Sequence, residues 1–273
     1  MSQFADHETA PRLQSATARY AFPSLRTITA LVLREMATTY GRSPGGYIWT
    51  ILEPVAGIAL LTLAFSFTFI DPPVGSNFAM FYATGMVPFV AYLDMSAKIA
   101  SSIQFSRPLL TYPRVTFADA LIGRFITNGL TQLLAAYIIF AGMLLVFDTR
   151  TSPDIPQIAL AMLMMAMLAL GIGTMNCFLM SIYPIWQKVW AILNRPLFII
   201  SCIFFVFEGV PEPMRSLLWY NPLVHIVGQM RHGFYPSYDA VYVSPFYVFS
   251  ISFLSLAMGL LFLRRYHRDI LNE

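Results

Sequence analysis

Residue types that could carry out chemistry are few in this sequence, and their spacing fits no catalytic motif. There is no G-x-x-x-x-G-K-[ST] phosphate-binding loop, no H-E-x-x-H zinc motif and no G-x-S-x-G nucleophile elbow. His225 and His232 are seven residues apart and would share a helix face, but without a third ligand they favour hydrogen bonding over metal binding. Cys177 and Cys202 lie in apolar runs and offer neither a disulfide framework nor a zinc site. The sequence therefore predicts no catalytic, metal or cofactor site in this chain.

Ionisable residues inside apolar stretches are the second group to consider, because a charge at membrane depth is costly and usually functional. Asp94 and Lys98 are spaced i, i+4, which favours an ion pair that neutralises both. Glu53 either anchors the start of its helix or faces a pathway. Asp119 and Arg124 fall at the start of another apolar run, where we expect them to mark the membrane interface.

The composition explains why so few polar residues are available. Of the 273 residues, 57% are hydrophobic and 11% are charged, whereas about a quarter of an ordinary soluble domain is charged. The 14 acidic and 17 basic residues cannot supply the charged surface of a soluble fold of this size. A net charge of +3 is also too small to indicate nucleic-acid binding. The composition therefore predicts a chain solvated by lipid, and it excludes a soluble enzyme and a disordered chain.

Six apolar runs approach the ~20 residues that a helix needs to cross a bilayer. They are residues 49–70, 78–97, 117–147, 157–183, 189–207 and 243–263. The fifth run is the weakest, because Asn194, Arg195 and Pro196 near its start suggest that its membrane portion begins only after Pro196. The sequence thus predicts an all-α polytopic membrane protein with six transmembrane helices within residues 47–265.

The distribution of Lys and Arg predicts the orientation of these spans. With six spans both ends of the chain lie on one side, and that side would hold 14 of the 17 basic residues. The 14 are Arg12, Arg19, Arg26, Arg34, Arg42, Lys98, Arg107, Arg114, Arg124, Lys188, Arg195, Arg264, Arg265 and Arg268, against Arg150, Arg215 and Arg231 outside. By the positive-inside rule, the polar tails at 1–23 and 266–273 are both predicted to be cytoplasmic.

Residues 24–46 are predicted to form an interfacial helix and a glycine-rich hinge before the first span. Apolar residues recur at helical spacing in this segment, with Arg26 and Arg34 off the stripe, which is typical of an amphipathic helix in the inner interface. The alternative is a soluble helix of the N-terminal tail. The stripe consists of Leu25, Ile28, Val32, Met36 and Thr39.

Two further segments are not spans. Residues 101–114 are long enough for a short helix across the inner membrane surface, capped by Ser101 or Ser102, or they form a plain basic loop. Residues 208–240 contain four prolines and are too polar to span, yet they are too apolar for an exposed loop. Two short helices that dip back into the outer leaflet would satisfy both facts, with a small folded cap on the outer surface as the alternative.

Two sequence motifs resemble a known family. The first is an interfacial helix with Arg34-Glu35-Met36, then Tyr40-Gly41-Arg42, Gly46-Tyr47-Ile48-Trp49 and Leu52-Glu53-Pro54. The second is Tyr220-Asn221-Pro222-Leu223-Val224-His225, followed by Met230-Arg231-His232-Gly233. In this order they resemble the membrane subunits of ABC-2 type exporters of capsular polysaccharide and O-antigen, over about residues 26–268, and the first motif is most similar to the capsule export branch.

The resemblance implies a function and a set of partners. It implies a permease of the bacterial inner membrane that moves a lipid-linked capsular polysaccharide outward and does no covalent chemistry. It also implies a homodimer with two separate ATPase subunits, which bind the ATP and Mg²⁺, and periplasmic or outer-membrane export proteins beyond. Alternatives are an exporter of O-antigen, an exporter of a smaller lipid or drug, and a membrane-embedded enzyme acting on lipid-linked glycans.

The resemblance further assigns roles to segments of this chain. Residues 101–114 would be the coupling helix that seats in the ATPase, with 183–188 as a second contact, and 208–240 would form the outer gate. The coupling residues are Arg107, Pro108, Leu109, Leu110, Pro113 and Arg114. The motif leading into the first span comprises Arg34, Glu35, Arg42, Trp49 and Glu53. Candidates for the translocation path and gate are Phe204, Phe205, Phe207, Trp219, Tyr220, His225, Arg231, Phe234 and Tyr235, with an outer aromatic belt as the alternative. Arg231 is expected to pair with an acidic sugar, Glu208 or Glu212.

Overall fold

The computed structural model describes residues 23–39, 46–67, 71–110, 115–149 and 151–266. These residues form ten α-helices, one short 3₁₀ helix and no strand, in agreement with the predicted all-α class. The helices are α1 (Pro23–Thr39), α2 (Gly46–Ser66), α3 (Phe78–Ala100), α4 (Ser102–Leu110), α5 (Phe117–Val146), α6 (Ile155–Ile182), α7 (Trp186–Ile200), α8 (Met214–Trp219), α9 (Pro222–Phe234) and α10 (Pro245–Arg265). The 3₁₀ helix is Phe207–Gly209.

Helices α3, α5, α6 and α10 begin at polar capping residues, because the first backbone N–H groups of a helix have no partner within it. Asp119 and Thr116 form a capping box at the start of α5, in which each side chain accepts a hydrogen bond from the other residue's backbone N–H. The side chains of Asp154, Asn221 and Ser244 cap α6, α9 and α10 by accepting a hydrogen bond from a backbone N–H in the first turn, and each is followed by a proline in that turn. Asp119 therefore sets the first residue of α5, at the position where the sequence predicted the membrane interface.

Five of the described helices have the length and apolar composition of membrane spans, namely α2, α3, α5, α6 and α10. Their bounds lie within a few residues of five of the six predicted runs. Helix α3 is the central one, because most of its residues are buried and it packs against α2, α5, α6 and α9. Helix α2, by contrast, buries only Pro54, Ile58 and Leu61.

Helices α6 and α10 run parallel and pack at very short range. Gly171 of α6 lies directly against the backbone carbonyl of Ser252, and a Cβ atom at Gly259 of α10 would lie 2.8 Å from the backbone nitrogen of Met175. Further along both helices, the rings of Phe178 and Phe262 are 5.0 Å apart. Residue numbers rise together along this contact, so the chain must return from one end of the bundle to the other between α6 and α10.

Helix α7 and the turn after it make this return, in place of the single helix predicted for the fifth run. The predicted run 189–207 is not one helix, because α7 begins earlier, at Trp186, and ends at Ile200. Its 15 residues extend about 22 Å, which is shorter than the ~30 Å hydrocarbon core. Pro196 lies inside α7. Residues 201–206 then continue as a turn, with Cys202 at a φ of 57°.

The contact between α6 and α10 gives a prediction about stability. We expect Gly171→Ala to destabilise the protein by about 1–3 kcal/mol, because the added methyl group meets backbone atoms that cannot move aside. Gly142→Ala on α5 is the matched control, since no atom lies within 4 Å of its Cβ position, and it should leave the protein as stable or slightly more stable. Thermal unfolding of the purified protein in detergent measures both. Equal melting temperatures for the two variants would contradict the close packing.

Candidate functional site

A buried polar cluster joins α1 to α5 at the end of the bundle where α3 ends and α5 begins. The Nε atom of Arg124 lies 3.3 Å from Oε1 of Glu35, and both side chains are almost fully buried. The same carboxylate oxygen accepts a hydrogen bond of 3.2 Å from the Nδ2 of Asn128. The N-terminal helix is thus held to the bundle by an enclosed ion pair with a hydrogen-bonded neighbour.

The guanidinium of Arg124 also binds the end of α3. Its Nη1 donates to the carbonyl of Lys98 at 2.6 Å and to Oγ of Ser101 at 2.8 Å, where the helix dipole favours a positive charge. It lies 4.0 Å from the ring centroid of Phe105 in α4, and the guanidinium of Arg34 approaches the same ring at 5.3 Å. Arg124 therefore contacts α1, α3 and α4 from its position on α5, whereas the sequence indicated only a residue at the membrane interface.

Helix α1 packs on α5 through a side that only partly overlaps the predicted apolar stripe. Ile28, Leu31 and Glu35 face α5, where Gly123 leaves room for the backbone of α1 to approach. Leu25 and Met36 of the predicted stripe are exposed, at 63% and 46% of their surface, and the placement of the stripe in the membrane interface stays a prediction. The side that packs on the protein is therefore set by the ion pair of Glu35, and the apolar residues beside it remain uncovered.

Helix α4 lies within the segment predicted as a coupling helix. It buries Ile103 and Ser106 and exposes Arg107 and Pro108. Ser101 precedes the helix, but its hydroxyl donates to the carbonyls of α3 and accepts from Arg124, so it does not act as a side-chain cap of α4. The side chains of Leu109 and Leu110, and all of Pro113 and Arg114, lie outside the described residues.

The remaining inner candidates are placed as follows. Asp94 and Lys98 form the predicted ion pair at 2.8 Å, and Gln132 of α5 donates to the same carboxylate at 2.6 Å. Trp49 and Glu53 of α2 are exposed. Arg42 and most of the predicted hinge lie outside the described residues. The two predicted polar tails lie outside them as well, apart from the first residue of α1 and the residue that follows α10.

The opposite end of the bundle contains the two short helices predicted for residues 208–240. Helix α8 is short and exposes half of its residues, whereas α9 is buried along nearly its whole length. Gln229 of α9 donates to Gln157 at the start of α6 at 2.7 Å, and the carbonyl of Gly233 accepts from the backbone of Asp154 at 2.7 Å. The ring of Phe234 lies 4.5 Å from that of Phe140 in α5. Helix α9 is therefore packed among the ends of the long helices.

Arg231 of α9 is fully buried and holds the turn that follows α7. Its guanidinium donates to the carbonyls of Phe205 and Ile203 at 2.8 and 2.9 Å and lies 4.2 Å from the ring centroid of Phe81. The expected pairing with Glu208 or Glu212 is not the one observed. Arg231 instead satisfies carbonyls that the non-helical backbone leaves without partners.

The two glutamates have other partners. Glu208 accepts a hydrogen bond of 2.9 Å from the hydroxyl of Tyr238. Glu212 accepts from the hydroxyl of Ser216 and from the Nε of Arg215, and these hydrogen bonds hold the pKa of the exposed Glu212 carboxyl below its usual value. Both acids thus stabilise the local fold around the short helices.

His225 and His232 are both hydrogen-bonded, as the sequence predicted. Nδ1 of His225 accepts from the backbone N–H of Ser244 at 3.1 Å, so Nε2 carries the proton and donates to the carbonyl of Trp219 at 2.8 Å. His232 bonds the carbonyl of Tyr238 through Nδ1 at 2.8 Å. Within the described ranges, no group of three potential metal ligands occurs.

The aromatic candidates differ in exposure. Phe207, Phe234 and Tyr235 are buried, and Phe204, Phe205 and Trp219 are half-buried. Trp219 donates its Nε1 to the carbonyl of Tyr242 at 3.2 Å and packs against His225 and Tyr247. Among the nine candidates for the path, Tyr220 alone is an exposed side chain, at 67%. Tyr238, Tyr242 and Tyr247 also belong to this aromatic cluster and were not among the residues predicted from the sequence.

The Glu35–Arg124 pair gives a prediction of non-additive stability. Glu35→Gln or Arg124→Gln alone should destabilise the protein by about 3 kcal/mol, because each leaves a buried charge without its partner. The double variant should lose less than the sum of the two. Lys98→Gln is the control, since its pair with Asp94 is partly exposed and should be worth at most about 1 kcal/mol. Thermal unfolding measures all four variants, and strictly additive losses would show that the two charges do not interact.

Comparison with known proteins gives similarity along most of the chain. Residues 26–235 match the membrane family described as ABC-2 type transporter. The polysialic acid transport protein KpsM of Escherichia coli is 32% identical over 237 residues, which cover 86% of this chain and 91% of that protein. The capsule polysaccharide export inner-membrane proteins CtrC of Neisseria meningitidis and BexB of Haemophilus influenzae are 25% and 26% identical, over 90% of this chain and 92% of each relative.

The matched range 26–235 includes all but the first three residues of α1, the polar cluster at Arg124 and both short helices α8 and α9. The family match covers well over half of the chain, and the first relative exceeds 30% identity over most of it. The chain therefore belongs to the ABC-2 type transporter family of membrane proteins.

Proposed function

We propose that this chain is the membrane permease subunit of an ATP-driven exporter of capsular polysaccharide across the bacterial inner membrane. The observation that carries the proposal is the near full-length similarity to relatives whose names specify capsule polysaccharide export and polysialic acid transport. A lipid-linked polysaccharide is the proposed substrate. ATP and Mg²⁺ would be bound by a separate ATPase, because the sequence contains no phosphate-binding loop.

The proposed topology has six crossings with both termini in the cytoplasm. The parallel arrangement of α6 and α10 supports it, because the chain must return across the bundle between them. Helix α7 and the turn at 201–206 would make the fifth crossing, although α7 alone is shorter than the hydrocarbon core. The excess of Lys and Arg at the end that contains α1 and α4 supports a cytoplasmic location for that end.

Helix α4 is the proposed contact with the ATPase. It lies at this basic end and presents Arg107 and Pro108 outward, while Ile103 and Ser106 pack on the bundle. Because Phe105 of α4 stacks on the guanidinium of Arg124, a displacement of α4 would act directly on the ion pair to α1. The contact therefore offers a route from ATP hydrolysis to the membrane helices, and the turn at 183–188 would be a second contact.

Helices α8 and α9 are the proposed outer gate. Arg231 of α9 contacts Phe81 and lies near Gly85 of α3, which places it about 5–10 Å along α3 from its outer end. This depth supports a re-entrant segment in the outer leaflet, where irregular backbone is tolerated if protein covers it. Apolar and aromatic residues at such a constriction can exclude water when no substrate is present.

Reconstitution tests the function. Together with its ATPase, the chain in lipid vesicles should move a lipid-linked polysaccharide across the bilayer only when ATP is supplied, and the isolated chain should hydrolyse no ATP. Arg107→Glu should lower the affinity for the ATPase by about tenfold, because a charge at the contact is reversed. Co-purification and ATP turnover measure this step.

Arg264→Glu is the control, because Arg264 is also exposed and basic but lies at the end of α10. Assembly that is unaffected by Arg107→Glu would contradict the proposed contact. Hydrolysis of ATP by the isolated chain, or transport without ATP, would contradict the function itself.

The gate gives a prediction that separates two neighbouring aromatics. Tyr220→Ala should leave thermal stability unchanged, because the ring is exposed, while reducing export or raising ion leakage through the assembled transporter. Trp219→Ala should lower stability by about 3 kcal/mol, because it removes packing against His225 and Tyr247. Melting temperature and vesicle leakage distinguish the two. If Tyr220→Ala exports polysaccharide and leaks ions as the wild type does, the gate is contradicted, and α8 and α9 form a passive outer cap.

A further inference from the structure

Most ionisable side chains inside the long helices have partners within the chain. Asp94 and Lys98 pair with each other, and Arg124 pairs with Glu35. Two residues well inside helices differ from these, namely Glu53 of α2 and Arg195 of α7. Both are exposed, and neither makes a hydrogen bond or an ion pair in the part of the chain that the structure describes. A charged side chain that faces lipid at this depth costs several kcal/mol.

Contacts with α3 show that Glu53 and Arg195 lie at the same depth. Gly57 of α2 packs against Met86 of α3, and Phe65 further along α2 packs against Tyr82. Helix α2 therefore runs antiparallel to α3. Continued back along α2, this register places Glu53 level with about residues 90–94 of α3. The ring of Phe198 in α7 lies 5.5 Å from that of Phe89. Arg195 precedes Phe198 by about one helical turn, which places it level with about residue 92. The two opposite charges are therefore within about one turn of each other in depth.

The two helices that carry these charges are also those with the least cover. Helix α2 buries three residues along its length, and α7 buries none. Their uncovered faces are apolar around the two charges, with Leu52 and Val55 on α2 and Ile192 and Ile199 on α7 among the exposed side chains. The face of α2 thus carries Glu53 in an apolar surround, and the face of α7 carries Arg195, of opposite sign, with the exposed Lys188 two turns nearer the start of α7.

We propose that α2 of one copy packs against α7 of a second copy and that Glu53 pairs with Arg195 across this interface. This inference rests on the proposed function, which includes a homodimer, and it adds the helices and the charge pair that join the copies. A twofold axis makes the contact reciprocal, so the interface contains two equivalent Glu53–Arg195 pairs. A second copy of the chain is the partner that fits these faces. It places the positive charge of its Arg195 at the same depth as the negative charge of Glu53.

Cross-linking tests the geometry. The Cα atoms of an Arg–Glu pair are further apart than a disulfide permits, so the double variant Glu53→Cys/Arg195→Cys is treated with a short bifunctional thiol reagent in native membranes. We expect covalent dimers. The native Cys177 and Cys202 are buried, and the untreated and wild-type samples measure their background.

Leu130→Cys/Arg195→Cys is the matched control. Leu130 is exposed on α5, and Gly129 beside it packs against Met95 of α3, so it lies at the same depth as Glu53 on a different face. Few or no dimers are expected from this pair. Equal cross-linking of the two pairs, or none from Glu53→Cys/Arg195→Cys, would overturn the proposal.

Charge exchange tests the interaction. Glu53→Lys and Arg195→Glu should each lower the dimer fraction about threefold or more, measured by single-molecule photobleaching in lipid nanodiscs, and the double exchange should restore it. The proposed pair is wrong if both single charge variants leave the dimer intact and the cysteines of Glu53→Cys and Arg195→Cys both react with a charged, membrane-impermeant thiol reagent. That reactivity would show that the two positions line a water-filled path.

Export assays keep this proposal separate from the proposed function. If the dimers cross-link and depend on the two charges but export no polysaccharide, the proposed interface is supported and the proposed function is contradicted. Normal ATP-driven export by a protein whose Glu53 and Arg195 positions do not cross-link would retain the function and overturn the interface.

Discussion

The non-helical backbone at residues 201–206 depends on the guanidinium of Arg231. Carbonyl groups that leave a helix in an apolar environment have no water to bind, and each unsatisfied group is costly. Arg231 donates to two of these carbonyls and packs on the face of Phe81. With the turn satisfied in this way, α7 can end at Ile200, and α8 and α9 can return along the ends of the long helices before α10 begins beside α6.

A second arginine has a similar role at the other end of the bundle. Arg124 donates to the carbonyl of Lys98 at the end of α3 and also pairs with Glu35. Each arginine thus binds main-chain oxygen where a helix or turn ends, and each lies against an aromatic ring. They differ in charge balance, because Arg124 has a carboxylate partner whereas Arg231 contacts carbonyls and a ring. At each end of the molecule, therefore, an arginine holds the local backbone through carbonyl oxygens and an aromatic ring. Only at the Arg124 end is the positive charge balanced by a carboxylate.

The sequence predicted the long helices well because their apolar runs are continuous, and their caps, which were not predicted, are also local. Asp119 and Ser244 each act within a few residues of their own position, so capping chemistry can be read along the chain. Helix α7 was mispredicted because Arg195 and Pro196 interrupt its hydropathy, and only contacts with α3 reveal where it lies. The partnership of Glu35 with Arg124 spans nearly 90 positions, and no local spacing encodes it. The rotation of α1 follows from that distant contact and was unpredictable for the same reason.

The glycine contact between α6 and α10 has a consequence for biosynthesis. The partner helices are separated by residues 183–244, which a ribosome adding about 5–20 residues per second needs several seconds to make. Throughout that interval the face of α6 around Gly171 has no α10 to cover it. Because α9 is itself made late in this interval, α3 is the main helix that can hold α6 in place at first, and lipid covers the groove of α6 until α10 is inserted.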